Sequence, residues 1–179
     1  MRTEIRIAGF GGQGVILAGF LLGKAAINDG KFAVQTQSYG PESRGGAARS
    51  EVVISDQEID YPKVIEADII VALSQPAFDK YYPLIKKDSV VIIDSDLVDA
   101  SKNRINSVPF TKIADDLGKK VVANSVMLGY LQASTGVITI ESMESIIRGN
   151  VPQHTIELNL TAFNKGIEFW NNGSKHGSG

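Results

Sequence analysis

Three short apolar runs in the chain predict strands that are buried on both faces of a sheet. They span residues 69–73, 90–93 and 121–123, and polar residues bound each run. Near-continuous apolar runs of this length are typical of parallel strands covered by helices on both sides. Two weaker apolar segments, at residues 5–8 and 32–35, predict two further strands near the start of the chain.

Helical patterns separate these strands. The first, at about residues 13–29, is apolar almost all round, and Gly30 is placed to end it in a left-handed conformation. A helix without a polar face is buried on more than one side. One side of this helix is predicted to pack on the sheet. The other side is buried either by a partner chain or by another part of this domain.

Two later segments complete the predicted fold. Residues 47–54 alternate between polar and apolar, which indicates an edge or antiparallel strand, and Ile156, Leu160, Phe163, Ile167 and Trp170 form the apolar stripe of a C-terminal helix. We therefore predict one three-layer α/β/α Rossmann-like domain over residues 1–170. Its sheet is mainly parallel with an antiparallel edge strand, and residues 171–179 are predicted to be a disordered tail.

Composition narrows the possible functions. The 179 residues have a formal net charge of −2 and no basic stripe, so nucleic acid is not an expected partner. The chain contains no cysteine, which excludes disulfides, thiolate catalysis and an iron–sulfur cluster held by this chain. No apolar run approaches the roughly 18 residues of a membrane span, and the N-terminus lacks a signal-peptide pattern, so a cytoplasmic location is expected.

A glycine-rich turn follows the first predicted strand. Gly9, Gly11, Gly12, Gln13 and Gly14 lie between that strand and the first helix, with the spacing G-x-G-x-x-G. Such a turn lets a diphosphate approach the backbone at a helix N-terminus. The usual dinucleotide fingerprint also needs an acidic residue after the second strand, and residues 34–37 contain none. Anion binding and tight packing both remain open as explanations of the turn.

A polar loop with two glycine breaks follows the second strand. In residues 35–46, Tyr39 offers a ring for stacking and Arg44 a cation for phosphate or carboxylate, with Glu42 as its nearest potential partner. Loops at the carboxyl ends of parallel strands line the crevice where α/β proteins bind ligands. A solvated surface turn is the alternative explanation.

The two segments together resemble one family. The sequences G-F-G-G-Q-G-V-I-L-A at residues 9–18 and Q-S-Y-G-P-E-S-R-G-G at 37–46 are similar to the gamma subunit of 2-oxoacid:ferredoxin oxidoreductases. The form of the second motif is most similar to the 2-oxoglutarate branch. Further matching segments lie at residues 52–56, 59–62, 72–75, 124–129 and 164–166, so the resemblance covers about residues 4–170.

The resemblance implies an enzyme that oxidatively decarboxylates a 2-oxoacid with coenzyme A, giving an acyl-CoA, carbon dioxide and two electrons for ferredoxin. It implies alpha and beta subunits, in some members also a delta subunit, which hold thiamine diphosphate, magnesium and the iron–sulfur clusters. The gamma-type domain is expected to hold no cofactor alone and to lie beside coenzyme A. The same subunit of a pyruvate, 2-ketoisovalerate or indolepyruvate enzyme is the near alternative, and a free-standing dinucleotide-binding oxidoreductase is the distant one.

By residue, the resemblance implies a binding role and no catalytic or metal-binding residue, so the isolated chain is expected to be inactive. The turn residues are one part of the expected cofactor-binding set, and Asn124, after the strand predicted at 121–123, is a weaker member. The cleft loop supplies the rest: Ser38, Tyr39, Gly40, Arg44, Gly45 and Gly46.

Two other polar features have simpler explanations. Asp94 and Asp96 follow a buried strand, where magnesium binding is conceivable but capping of the next segment is the more ordinary role. His154 and His176 have no pattern of partners for a zinc site or a catalytic dyad.

Overall fold

The computed structural model describes residues 1–39, 47–100 and 105–174, which alternate between strands and helices along most of their length. In chain order the strands and α-helices are β1 (Arg2–Phe10), α1 (Val15–Asn28), β2 (Phe32–Tyr39), β3 (Ala47–Ser55), β4 (Ile69–Ala72), α2 (Gln75–Tyr81), β5 (Val90–Asp94), β6 (Ile105–Val108), α3 (Phe110–Asp116), α4 (Ala123–Thr135), α5 (Ile140–Asn150) and α6 (Ile156–Ser174). Short 3₁₀ turns at Tyr82–Leu84, Lys120–Val122 and Gln153–Thr155 connect some of them.

The strands form one mixed sheet in the order β2-β3-β1-β4-β5-β6. β1, β4, β5 and β6 pair in parallel, whereas β3 runs antiparallel to both β1 and β2. The predicted mainly parallel sheet with an antiparallel strand near its edge is therefore confirmed. β3 and β2 form the antiparallel pair at that edge, and β2 is the outermost strand.

Helices cover both faces of the sheet. On one face, Leu21 and Leu22 of α1 pack with Ile5 and Ile7 of β1 in a buried cluster that includes residues of α3, α4, α5 and α6. On the other face, Phe78 of α2 packs in a second cluster that includes residues of β1, β4 and β5. The predicted three-layer α/β/α arrangement is confirmed, because side chains alternate between the two faces along each strand.

The end of α1 and the packing of α6 agree with the predictions from the sequence. Gly30 has a φ of 78°, and the N–H groups of Gly30 and Lys31 donate to the carbonyl oxygens of Ile27 and Ala26 at the end of α1. This is the left-handed termination that the glycine predicted. The stripe of α6 packs closely on α4, where Phe163 is fully buried and its carbonyl oxygen lies against Gly129.

The prediction of a strand at residues 121–123 was wrong. Those residues complete a 3₁₀ turn and begin α4, and the side chain of Val121 is 70% exposed. The sixth strand is instead β6, which was not predicted. The helix α6 also continues to Ser174, so residues 171–174 are helical rather than part of a tail.

Candidate functional site

The carboxyl ends of β1 and β4 lie at a point where the chain leaves the sheet in two directions. After β1 the chain enters α1 on one face, and after β4 it enters α2 on the other. Diverging connections open a crevice outside the carboxyl ends of neighbouring parallel strands, which is where doubly wound proteins bind ligands. The glycine turn therefore lies at this switch point.

The side chain of Gln13 links the turn to the end of β4 through hydrogen bonds. Its side-chain oxygen accepts a hydrogen bond from the backbone N–H of Phe10, and its Nε2 donates to the carbonyl oxygen of Leu73 at 2.7 Å. A Cβ on Gly9 would overlap this amide, so a side chain there would displace Gln13 from its two hydrogen bonds. Gln13 thus holds the end of β1 against the end of β4.

Two glycines give the turn its conformation. Gly12 and Gly14 have φ values of 91° and 72°, which L side chains rarely adopt. Gly14 precedes the first turn of α1, which has no side-chain cap and no acidic residue, so its N–H groups are available to an anion. The side chain of Asn124, in the first turn of α4, packs against Gly14.

One cavity, of about 390 Å³, lies between the turn and the end of β5; we call it the β5-side cavity. It is lined by Gly12, Gln13, Leu73, Asp94, Leu97, Thr111, Lys120, Val121 and Ala123. Burial raises the pKa of the Asp94 carboxyl, although hydrogen bonds from Thr111 and Asp96 oppose that rise. The two bonds from Thr111 hold the start of α3 (2.6 Å from the hydroxyl), which is the capping role, while the backbone N–H of Asp96 donates to the same carboxyl from the turn after β5.

A second cavity, of about 440 Å³, lies on the opposite side of the turn; we call it the β2-side cavity. Its lining consists of Ala8, Gly9, Phe10, Ser38, Ala47, Ala48, Arg49, Ser74, Pro76, Ala77, Lys80 and Tyr81. Among these described residues there are two cations and no carboxylate. The cavity is therefore chemically suited to an anion that has an apolar portion.

A buried row of charges supports the wall of the β2-side cavity. The Nε atom of Arg6 donates to Glu51 at 2.7 Å, and both side chains are more than nine-tenths buried. Arg49 lies 3.7 Å from the same carboxylate and donates to the hydroxyl of Tyr81 at 3.3 Å. Glu51 is therefore shared by two arginines beside the cavity.

The structure divides the predicted binding residues between the two cavities. Gly12 and Gln13 line the β5-side cavity, whereas Gly9 and Ser38 line the β2-side cavity. Gly11 lies exposed in the turn between them. Gly14 and Asn124 pack together behind the turn, with Asn124 in α4 and not after a strand. Tyr39 ends β2, and four predicted positions lie outside the described residues: Gly40, Arg44, Gly45 and Gly46.

The sequence interpretation missed the cations of the β2-side cavity. Arg49 belongs to β3 and Lys80 to α2, so only the folded sheet brings them together. A signal was available for Arg49, because strand alternation places it on the same face as Glu51 and Val53. Lys80 has no such signal, since an exposed lysine in a short helix is common.

The chain has no thiolate ligand for a metal cluster. It has no cysteine, and the described ranges contain no group of three or more histidine, cysteine, aspartate or glutamate side chains placed to hold a metal. Among the helices described, none is long and apolar enough to cross a membrane.

A glycine turn at the switch point of a mainly parallel, helix-covered sheet defines an α/β domain of the doubly wound class. Within that class, the chain belongs to the pyruvate ferredoxin/flavodoxin oxidoreductase family, whose model matches residues 4–169. The resemblance deduced from the motifs is therefore confirmed.

Known relatives place the chain more narrowly. It is 55% identical to the 2-oxoglutarate synthase subunit KorC of Methanocaldococcus jannaschii, covering 94% of each chain. It is similar to the gamma subunit of a keto/oxoacid ferredoxin oxidoreductase from Geobacter sulfurreducens, with a TM-score of 0.83, 43% identity, and 95% and 99% of the two chains covered. The ketoisovalerate oxidoreductase subunit VorA of Methanothermobacter marburgensis is 34% identical over 93% of this chain, but over only 36% of its own length.

Proposed function

We propose that this chain is the gamma subunit of a 2-oxoglutarate:ferredoxin oxidoreductase. The enzyme converts 2-oxoglutarate and coenzyme A to succinyl-CoA and carbon dioxide, and passes two electrons to ferredoxin. The observation that supports this substrate is the much higher identity with the 2-oxoglutarate synthase subunit than with the ketoisovalerate subunit. A pyruvate or indolepyruvate enzyme is the alternative that an assay must separate from it.

The gamma subunit acts inside an assembly with alpha and beta subunits, and with a delta subunit where the enzyme has one. When bound to those partners, thiamine diphosphate with magnesium supplies the carbanion chemistry of decarboxylation, and iron–sulfur clusters conduct the electrons. Within the described part of the chain, the two carboxylates beside the cavities already have partners: Asp94 accepts hydrogen bonds at the start of α3, and Glu51 binds two arginines. Its role is to bind and orient. The cytoplasmic location expected from the sequence stays a prediction.

The ligand that we assign to the chain's cavities is coenzyme A. Its phosphates require cations and N–H groups, which Arg49, Lys80 and the N-terminus of α1 offer on either side of the glycine turn. Its less polar arm requires apolar walls, which Pro76 and Tyr81 supply in the β2-side cavity. Ser38 lines the same cavity.

Reconstitution of the complete enzyme tests the proposal. The chain is assembled with its partner subunits, and reduction of a viologen dye is followed with 2-oxoglutarate, pyruvate or indolepyruvate as substrate. We expect 2-oxoglutarate and coenzyme A to be required together. Preference for pyruvate would move the chain to the alternative, and turnover by the isolated chain would contradict the subunit role.

A pair of variants tests the cavity in the same assay. Lys80→Gln should raise the KM for coenzyme A by about tenfold, the typical effect of losing one charge-assisted hydrogen bond. Lys87→Gln is the matched control, because Lys87 is exposed and lies outside the lining of the cavity. Equal KM values in both variants would remove Lys80 from the binding site.

A further inference from the structure

The hydroxyl of Tyr81 is buried, and its proton has no acceptor among the described residues. Tyr81, the last residue of α2, is 7% exposed and lines the β2-side cavity. Its oxygen accepts a hydrogen bond from Nη1 of Arg49 at 3.3 Å. By contrast, the hydroxyl of the buried Tyr130 donates to the side chain of Asn106 at 3.2 Å. A buried tyrosine hydroxyl usually finds an acceptor, so Tyr81 is placed as a donor to a bound ligand.

Two further cations hold the ring of Tyr81. The guanidinium of Arg6 lies over the ring, 5.0 Å from its centroid, and the ammonium of Lys80 lies 5.6 Å from the same centroid. Arg6 is itself fixed by Glu51, which is its direct partner across β1 and β3. The attraction between these cations and the ring stabilises its orientation. The hydroxyl therefore has a fixed position beside the cavity.

Arg49 is held from two sides. Its Nε lies 3.7 Å from the carboxylate of Glu51, and its Nη1 donates to the hydroxyl of Tyr81. Glu51 and Arg49 are two residues apart on β3, so their side chains lie on the same face of the sheet. A guanidinium with two fixed contacts is oriented before a ligand arrives, which lowers the entropic cost of binding.

These donors suit a phosphate group. Arg49 and Lys80 supply two cations to the described lining of the cavity, and Tyr81 adds a neutral O–H next to both. A phosphate monoester carries a charge of about −1.5 to −2 and has three strong acceptor oxygens. It can therefore accept hydrogen bonds from all three side chains at once. A carboxylate has only two oxygens and a single charge.

We propose that Tyr81 is a phosphate-binding residue of the β2-side cavity. Its hydroxyl accepts a hydrogen bond from Arg49 and donates its own proton to a phosphate oxygen of coenzyme A. The inference rests on the proposed function, in which the ring of Tyr81 forms only an apolar wall. The hydroxyl of Tyr81 and the guanidinium of Arg49 recognise the phosphate as one unit.

Equilibrium binding of coenzyme A to the assembled enzyme tests this contact. Calorimetric titration without a 2-oxoacid gives the Kd in the absence of turnover. Tyr81→Phe removes the hydroxyl and keeps the ring, and we expect the Kd for coenzyme A to rise about tenfold. Unchanged affinity in this variant overturns the inference. A hydroxyl with a purely structural role would lower the thermal unfolding temperature of the variant and leave the Kd unaltered.

Tyr61→Phe is the matched control for this titration. Tyr61 is 49% exposed and lies outside the described lining of the cavity, so the same chemical change should leave the Kd within about twofold of the original value. An equal rise of the Kd in both variants would contradict a contact that is specific to Tyr81.

A double-mutant cycle tests whether Arg49 and Tyr81 act together. In the Arg49→Gln background the hydroxyl loses the group that holds it, so Tyr81→Phe should raise the Kd by less than about threefold. The same tenfold rise in both backgrounds would show that the two groups act independently, and would overturn the joint recognition.

Dephospho-coenzyme A, which lacks the phosphate on the ribose, identifies the phosphate that Tyr81 contacts. If Tyr81→Phe weakens the binding of coenzyme A but not of dephospho-coenzyme A, the hydroxyl binds the ribose phosphate. If it weakens both equally, the hydroxyl binds the diphosphate. Either result supports the inference, and normal binding of both ligands overturns it.

The substrate preference of the assembled enzyme separates this inference from the proposed function. If the original assembly prefers pyruvate and Tyr81→Phe still weakens coenzyme A binding, the contact stands and the assigned 2-oxoacid is wrong. If the assembly uses 2-oxoglutarate and Tyr81→Phe binds coenzyme A normally, the function stands and the contact is wrong.

Discussion

Gly129 determines how closely α4 and α6 approach each other. A Cβ at this position would overlap the backbone oxygen of Phe163, and backbone atoms cannot move aside as a flexible side chain can. The two helices are therefore in contact through their main chains at this point. Phe163 in turn is fully buried among the side chains of the larger cluster.

Gly129→Ala should lower the free energy of unfolding by about 1–3 kcal/mol, because α6 must shift away from α4 to admit the methyl group. Gly149 provides the control: it lies in α5, and a Cβ there would meet nothing. Gly149→Ala should raise the free energy of unfolding by up to about 1 kcal/mol through helix propensity. Urea denaturation followed by circular dichroism measures both, and equal effects would refute the close approach.

Arg44 is the residue that the sequence predicts to contact a phosphate. It lies three residues before Ala47, which lines the β2-side cavity. Arg44→Ala should raise the KM for coenzyme A roughly ten- to a hundredfold in the assembled enzyme, since one charge-assisted hydrogen bond is worth about 1.5–3 kcal/mol. Arg44→Lys keeps the charge but not the planar fork, and should recover part of the loss.

Thiamine diphosphate content serves as the internal control for Arg44, because the proposed function assigns that cofactor to other subunits. Dissociation of the Arg44→Ala complex on a sizing column would assign the arginine to an interface. An intact complex with unaltered coenzyme A kinetics would exclude both roles.

At the scale of elements, Asp29 connects the end of α1 to the start of α5. Its carboxylate accepts hydrogen bonds from the backbone N–H of Thr139 at 2.7 Å, from the Thr139 hydroxyl and from the Ser142 hydroxyl. Burial alone would raise the pKa of Asp29, but the hydrogen bonds from Ser142 and Thr139 and the charge of Lys31 hold it below its usual value.

The stabilisation from Asp29 should therefore depend on pH. Because the pKa is lower in the folded state, the contribution is fully present above the ordinary value of 3.8 and is lost as the pH falls through the folded-state value. Asp29→Asn should destabilise the chain at pH 7, and its difference from the original chain should shrink below about pH 4. Asp116→Asn, at an exposed aspartate of α3, should show little of this dependence. Thermal unfolding at pH 7 and pH 3 measures both variants, and a constant difference would contradict the capping role.

The patterns that predicted elements correctly were those that burial alone determines. Residues 69–73 and 90–93 are apolar because helices cover both faces of β4 and β5. Residues 121–123 are also apolar, but α4 begins among them and the side chain of Val121 is exposed to solvent. Conversely, β6 was missed because Asn106 and Ser107 interrupt its hydrophobicity at the edge of the sheet.

The candidate site was predictable only where it is local in sequence. The turn from Gly9 to Gly14 requires glycine at particular positions, so its motif is visible in the sequence. The charged wall of the β2-side cavity consists of Arg6, Arg49 and Glu51, which strand pairing brings together from two distant segments. A hydrophobicity pattern does not report such register-dependent pairs.

At the scale of the whole molecule, the strand order argues against classical dinucleotide binding. In that mode, the strand beside β1 ends in an acidic residue that binds the ribose. Here β3 occupies that place and runs in the opposite direction, so the end of β2 lies two strand spacings away, about 10 Å from β1. Residues 34–37 also contain no acid.

Calorimetric titration of the isolated chain with NAD should accordingly give no measurable heat of binding. NADP is the useful second titrant, because an arginine near its phosphate can replace the missing acid in some proteins. Micromolar affinity for NAD would favour a free-standing dinucleotide-dependent oxidoreductase over a subunit of a larger enzyme.

The reversed direction of β3 also affects how readily this domain can acquire new specificity. Because β3 returns antiparallel beside β2, the connection between Tyr39 and Ala47 begins and ends at the ligand edge. Eight paired positions hold the ends of that connection. Lengthening it from seven to ten residues would cost roughly 0.3 kcal/mol in loop closure. Insertions at this edge can therefore accumulate at almost no cost to folding, so evolution can change ligand preference here while the sheet is conserved.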